Sequence, residues 1–337
     1  MHEKPRSKPP DAPRILEIGD RTLLAREFPA STTLAWSGPD HALPAAVSCV
    51  PLDRGADAAC ARALRAGEYD AVVWHAPERE PWRERRWGLA NPRLWRAWRL
   101  ARATRSLADV PLIAVDMRDR AEWTRSATAM LARADAYFLR EFSERGPGPP
   151  RGSAAGLEAK LEPVSIGLAR ERVASMPTAP VEKTSDVFFA GQVDTPLRRA
   201  EWPALLALRR DGVRVDMSET RLPPAEFYRR CASAWIVWSP EGRGWQCFRH
   251  LEAAACGSVP LMNRPAIRQH EPLVDGVHGL HYDARPGSLA RAVVEALADK
   301  ARLTRIAAAA RDHVLAHHTH AAICARILSA IYASRPK

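Results

Sequence analysis

The residues with the clearest chemical pattern lie between Trp238 and Met262, WSPEGRGWQCFRHLEAAACGSVPLM. An apolar strand is expected to end at Ser239. A turn carrying Pro240, Glu241, Gly242, Arg243, Gly244 and Trp245 follows, and then a helix. Phe248, Leu251 and Ala255, spaced i, i+3, i+7, form the buried stripe of that helix, and Gly257 stands where its stop needs positive φ. A strand, a glycine-bearing loop and a helix start make an anion site, because backbone N–H groups point outward and the helix dipole favours phosphate. Arg249, one turn in, brings a planar fork that pairs with phosphate oxygens, and Arg243 is a second candidate. Glu252, three residues beyond Arg249, can accept hydrogen bonds from the vicinal hydroxyls of a ribose. The same i, i+3 spacing also suits a surface ion pair beside an ordinary loop.

Three further residues stand at the carboxyl ends of apolar runs. Asp20 follows the first, His75 follows YDAVVW and Asp116 follows VPLIAV. Parallel sheets bind ligands at those ends, so each position suits catalysis, and each also suits a turn or a cap. His317, His318 and His320 invite a metal reading. Their spacing gives no closed tetrahedral set and no cysteine flanks them, so a solvated helix end is expected. Residues 83–105 hold arginines at 83, 85, 86, 93, 96, 99, 102 and 105, with Trp87, Trp95 and Trp98 between them. This mixture suits an anionic lipid surface or a lipid-linked acceptor ahead of nucleic acid. It equally suits a helix that packs its tryptophans inward and its arginines outward.

These residues need elements to hold them. The first half alternates strand candidates (14–19, 32–36, 47–52, 69–74, 110–115, 136–139) with helical stretches (56–66, 92–107, 121–134). Residues 146–156, GPGPPRGSAAG, read as a loop. A second series repeats the alternation, with strands at 187–190, 213–217, 235–239 and 259–262 and helices at 200–210, 224–232 and 246–255. Helices at 288–298, 301–316 and 320–332 close it. Such alternation implies crossover units and parallel sheets. The expected architecture is α/β: two doubly wound, Rossmann-like domains facing a cleft. The N-terminal, acceptor-side domain spans 14–172 and the C-terminal, nucleotide-binding domain 186–318. A linker lies at 173–185, and a last helix within 319–337 has the option of crossing back.

The 337 residues are 46% hydrophobic and 26% charged, ordinary proportions for a globular chain large enough to bury a core. No run approaches the 18 or so apolar residues that a membrane-crossing helix needs. The charged, proline-rich stretch 1–13 lacks the apolar core of a secretory signal and is expected to be a disordered tail. Six cysteines without a C-x-x-C pair fit reduced thiols and a cytoplasmic location. The net charge of +11 fits an anionic partner, although 44 of the 50 basic residues are arginine, a skew that codon composition also produces.

The Gly-x-Gly turn, the FRHLEAAACG helix and the short strand after it resemble the donor-site signature of GT-B glycosyltransferases of group 1, most of all the spore-maturation-type branch. DVFFAG (186–191) is similar to the first strand of their C-terminal domain, GLHYD (279–283) to a later donor-side loop, and AAARDHVLAHHT (308–319) to a late helix. ADAYFLR (134–140) resembles a strand near the end of their N-terminal domain. The resemblance implies a hexosyltransferase-type enzyme moving sugar from a nucleotide sugar to a polysaccharide, a glycolipid or a small molecule. It implies that Glu252 holds the donor ribose and that the Gly191 backbone neighbours the phosphates. Gly242, Arg243, Gly244, Trp245 and Arg249 would serve the departing diphosphate, with Arg249 stabilising its growing charge. Many group 1 enzymes carry two glutamates separated by seven residues. Here Glu241 and Glu252 are separated by ten, so Glu241 does not match the first, although it remains part of the donor loop. The chain has no D-x-D triplet, and no metal or cofactor is expected. If the chemistry inverts, Asp20 or His75 is the favoured general base. Alternatives are a nucleotide-sugar epimerase of the same fold and a non-enzymatic basic protein that binds nucleic acid or membrane. The enzyme is expected in the cytoplasm, with the option of peripheral contact through residues 83–105 with the inner face of the membrane.

Overall fold

The computed structural model describes residues 14–19, 23–27, 32–35, 48–51, 54–77, 92–107, 109–120, 123–143 and 157–334. The expected tail at 1–13, the loop at 146–156, Asp20 and the arginines at 83, 85 and 86 lie outside these residues. In chain order the N-terminal half contributes β1 (Ile15–Ile18), β2 (Thr32–Ala35), β3 (Ser48–Pro51), β4 (Ala71–His75), β5 (Leu112–Asp116), β6 (Ala136–Leu139), β7 (Phe142–Ser143) and β8 (Leu161–Pro163). Its helices are α1 (Leu23–Glu27), α2 (Arg54–Arg65), α3 (Pro92–Leu107) and α4 (Arg125–Leu131). The runs ILEI, AVVWH and LIAVD are buried along their whole length, as central strands covered on both faces must be. They lie in a seven-stranded parallel sheet of order β3-β2-β1-β4-β5-β6-β8. Alternate residues serve its two faces. Leu16, Ile18, Val72, Trp74, Leu112 and Ala114 pack on Leu64 of α2 and on Ala97 and Leu100 of α3.

The C-terminal half supplies α5 (Arg170–Ala174), α6 (Pro196–Arg210), α7 (Pro224–Ala232), α8 (Phe248–Ala255), α9 (Ser288–Leu297), α10 (Lys300–His317) and α11 (His320–Ala333). Its strands are β9 (Ser185–Ala190), β10 (Val215–Ser218), β11 (Ala234–Trp238), β12 (Val259–Asn263), β13 (Ile267–Arg268) and β14 (Leu280–Tyr282). A second parallel sheet runs β10-β9-β11-β12-β14. One face packs on α7, α8 and α10, the other on α6, α9 and α10. Two doubly wound α/β domains are the architecture that the alternating pattern implies.

Two features tie the halves together. β7 pairs antiparallel with β13, so one strand of that ribbon comes from each half. The remaining face of the first sheet (Ile15, Ala71, Val73, Ile113, Val115) is covered by Leu23 and Leu24 of α1 and by Ile323, Cys324, Ile327 and Ile331 of α11. The sequence pattern does not announce β7, β13 or α5, which are too short to show a period. The helix expected over 121–134 starts at Arg125, because Thr124 caps it, its hydroxyl accepting the Ala127 N–H at 3.2 Å. No helix among the described residues is long and apolar enough to cross a membrane.

Candidate functional site

β9 and β11 are neighbours, and the turns that leave their carboxyl ends meet α8. β9 ends at Ala190, and Gly191 follows with φ 145°. A Cβ there would lie 2.5 Å from Nη2 of Arg249 and would push the arginine aside, and the backbone angle itself favours glycine. Arg249 donates from Nη2 to the Ala190 carbonyl at 2.6 Å and lies over the Phe189 ring, its Cζ 4.5 Å from the centroid. Its Nε and Nη1 are buried and have no partner. Burial lowers its pKa, and the nearby Arg198 adds to the effect.

Arg198, in the first turn of α6, is 9% exposed. It donates to the Gln192 carbonyl at 3.1 Å, while its Nε is buried without a partner. Its Nη2 would be 3.4 Å from a Cβ at Gly242. Two arginines, one against Gly191 and the other against Gly242, thus carry three buried guanidinium nitrogens without partners. Buried polar atoms are ordinarily satisfied, and a cluster of unsatisfied donors with two positive charges is arranged for a polyanion. Arg198 is not among the residues that the sequence pattern singles out. Its signal is faint: an arginine just after the helix-starting Pro196, seven residues beyond Gly191.

The loop expected to bind an anion through its amides has those amides turned onto protein acceptors. The Gly242 N–H closes a turn onto the Gly244 carbonyl at 2.9 Å. The Trp245 N–H is taken at 2.9 Å by Oε2 of Glu141, a carboxylate of the N-terminal half, whose Oε1 takes the Gln246 N–H at 3.0 Å. These amides are therefore held by protein acceptors, and the arginine pair carries the free donor capacity. Glu241 is fixed by Asn263, which accepts its N–H at 2.8 Å and donates to its Oε2 at 2.9 Å. Trp245 is buried and donates from its indole to the Asn263 carbonyl at 3.1 Å. Arg243 is exposed.

Glu252 makes no i, i+3 pair with Arg249. Its Oε1 accepts from Arg172 of α5 and, at 3.3 Å, from the Tyr228 hydroxyl. Its Oε2 has no partner among the described residues and retains its capacity to accept. Cys247, the N-cap residue of α8, has its Sγ 3.5 Å from Nδ1 of His250. Burial opposes ionisation of this thiol, but His250, Arg249 and Ser239 outweigh it and bring the pKa down to about 6.

On the N-terminal side, His75 ends β4 and is 2% exposed. Its Nε2 lies 2.7 Å from Glu17 Oε1, an atom that also accepts the N–H groups of Leu23 and Leu24. A carboxylate only accepts, so Nε2 donates to it, and the other ring nitrogen, Nδ1, is buried and unpartnered. Gly19, which follows β1, lies against this ring: a Cβ there would be 2.6 Å from that of His75. The strands of this sheet are parallel, so His75 leaves the same edge as Glu141, which touches the 245–246 turn. Asp116 is engaged on both oxygens, by Nε of Arg118 at 2.8 Å and by the Tyr137 hydroxyl at 3.0 Å.

The expected solvated histidine end is corrected for His318, which is 3% exposed. Its Nδ1 is 2.8 Å from the Ser165 hydroxyl and its Nε2 donates to the Glu271 carbonyl at 2.8 Å, while burial pushes its pKa down to about 3. Among the described residues no group of His, Cys, Asp or Glu is placed to hold a metal ion. On α3, Arg99 and Arg102 are exposed. Trp98 is half-buried against the core, with Trp95 edge-on to it at 5.7 Å and Arg102 over its ring at 4.2 Å. Arg96 lies 3.9 Å from Asp57.

Residues 178–329 match the family described as Glycosyl transferase-like. No curated protein matches the chain. Among solved structures, a glycosyltransferase from Rickettsia africae has a TM-score of 0.60 at 10% identity, covering 96% of this chain and 99% of its own. The sucrose-phosphate synthase of Thermosynechococcus elongatus has a TM-score of 0.58 at 12% identity, covering 94% of this chain and 98% of its own. HepE of Anabaena, in complex with UDP, has a TM-score of 0.55 at 13% identity, covering 95% of this chain and 100% of its own. The fold is GT-B, and the family match lies over the C-terminal domain.

Proposed function

We propose that this protein is a glycosyltransferase of the group 1 kind and takes its sugar from a nucleotide sugar whose diphosphate lies between Arg198 and Arg249, beside Gly191 and Gly242. The observation that carries this reading is the set of three buried guanidinium nitrogens without partners. HepE is described in complex with UDP and with UDP and glucose, which supports a nucleoside diphosphate as the ligand class. Within the fold the donor loop fits the spore-maturation-type branch.

Glycosyl transfer passes through an oxocarbenium-like state while negative charge grows on the departing diphosphate. Fixed positive donors in a dry site stabilise that charge without a metal ion, and Arg198 and Arg249 are such donors. The ribose hydroxyls donate to the unengaged Oε2 of Glu252, while Arg172 and Tyr228 fix its Oε1. Inversion would need a base, and Nδ1 of His75 offers one. Glu17 holds the other nitrogen and would steady the imidazolium after the acceptor proton is taken. Asp20, immediately after Gly19, is the other candidate base. We infer a cytoplasmic reaction in which α3 would present Arg99 and Arg102 to an anionic membrane surface carrying a lipid-linked acceptor.

A thermal-shift panel of nucleoside diphosphates on the full chain tests the donor site, followed by a nucleotide-sugar hydrolysis screen. One diphosphate should stabilise the protein by about 2.7 kcal/mol at a hundredfold over its dissociation constant. A panel in which none does, with no donor hydrolysed, rejects the reading.

A further inference from the structure

The segment that opens α8 is held from outside its own domain. The Glu141 carboxylate bridges two consecutive amides, Oε2 to Trp245 N–H at 2.9 Å and Oε1 to Gln246 N–H at 3.0 Å. The preceding residue has no room for a side chain, since a Cβ on Gly244 would stand 2.5 Å from Glu141 Cδ and 2.6 Å from its Oε1. The neighbouring Arg140 donates to the Gln246 carbonyl, and the Gln246 side-chain oxygen takes the Ile166 N–H at 2.5 Å. The Trp245 carbonyl, finally, accepts from His250 Nε2 at 2.9 Å. Every backbone polar group of residues 245 and 246 is thereby fixed, three of the four by the N-terminal half. Cys247 caps α8 directly afterwards, and Arg249 stands three residues beyond Gln246.

We propose that Glu141 is a positioning residue for the donor site: it clamps the Gly244–Gln246 turn across the domain boundary and so sets where Arg249 presents its free nitrogens. The inference rests on the donor reading above. Glu141 does not touch the donor. It completes the donor site only while the two halves are in contact, so donor affinity depends on the domain interface. Its burial and its two amide partners make the clamp a specific one, because an unpaired carboxylate there would be strongly penalised. Gly244 belongs to the same device, as the residue that leaves space for the carboxylate.

The test is a double-mutant cycle read by calorimetry on the full chain, with UDP, ADP and GDP as probes and the tightest binder carried forward. Glu141→Ala removes the clamp. Gly244→Ala pushes the turn off it from the other side while leaving Glu141 in place, so it serves even if the first variant folds poorly. Each should weaken binding by about tenfold, and the double variant should bind no worse than either single one, since the added methyl meets no carboxylate once Glu141 is gone. Glu141→Gln keeps one acceptor oxygen and should recover part of the loss. Wild-type protein that binds none of the three probes overturns the donor reading and this inference with it. Wild-type binding that Glu141→Ala leaves unchanged, or single effects that multiply in the double variant, overturns the inference alone.

Discussion

Replacing Arg249 by methionine should separate ligand binding from stability. One of the three guanidinium nitrogens of Arg249 donates to the Ala190 carbonyl at 2.6 Å, and the other two are buried without protein partners. The hydrogen bond from a charged group contributes about 1.5–3 kcal/mol, and each unmet donor costs about 1–3 kcal/mol. The stack on Phe189 adds about 1 kcal/mol, which a methionine sulfur over the same ring largely keeps. These terms nearly cancel, so Arg249→Met should melt at or slightly above the wild-type temperature. Diphosphate binding behaves differently, since the variant loses a charge-assisted pairing of about 1.5–3 kcal/mol, roughly 10- to 150-fold in affinity. Arg249→Lys should not restore it, because a point charge lacks the fork and the reach of both free nitrogens. Thermal melting with and without nucleoside diphosphate, together with calorimetry, reads both quantities. A variant that melts several degrees lower yet binds as tightly as wild type would show a structural arginine and refute the argument.

Glu252→Gln should weaken nucleoside diphosphate binding roughly tenfold by calorimetry, through loss of a charged acceptor toward the ribose, and unchanged affinity would remove that role. Donor turnover should survive saturating chelator, the arginine pair supplying the charge that a metal would otherwise bring; loss that magnesium or manganese restores would reject this. Alkylation of Cys247 by iodoacetamide, followed by mass spectrometry, should rise through about pH 6, where its thiol ionises, and level off above it. A rate still climbing past pH 8 would contradict the thiolate. The protein should co-sediment with anionic vesicles and not with neutral ones, each exposed arginine of α3 contributing about 1 kcal/mol. Arg96, Arg99 and Arg102 changed together to Gln should abolish that binding and spare donor hydrolysis; a triple variant that still binds assigns these arginines to ordinary solvated surface.

The strands and helices were legible where the apolar period is long. Residues 92–107, 136–139 and 224–232 read in the sequence as they stand in the structure, because burial on a sheet or helix face imposes the pattern directly. The site was legible only where it is local. Gly242, Gly244, Arg249 and Glu252 share one strand–turn–helix unit, and their types announce an anion and its sugar. Arg198 and Glu141 escape such a reading because their partners are remote: Glu141 lies 104 residues before Trp245. With Glu252 as the second glutamate, a first one at seven-residue separation would fall on Gly244. The chain carries glycine there, and a carboxylate arrives from the other domain instead. His318 misleads for the same reason, since nothing near it in sequence reveals Ser165 or the Glu271 carbonyl.

The helix α11 has a consequence for how the molecule is made. β1 leaves the ribosome about 300 residues before α11, yet the apolar face containing Ile15, Val73 and Ile113 is roofed by Ile323, Ile327 and Ile331. The N-terminal sheet therefore emerges with one side open and waits through the synthesis of the whole second domain before its core can close. During that interval the bare face is a target for chaperones and for aggregation. A nascent chain arrested before His320 would hold a finished C-terminal domain beside an unfinished partner.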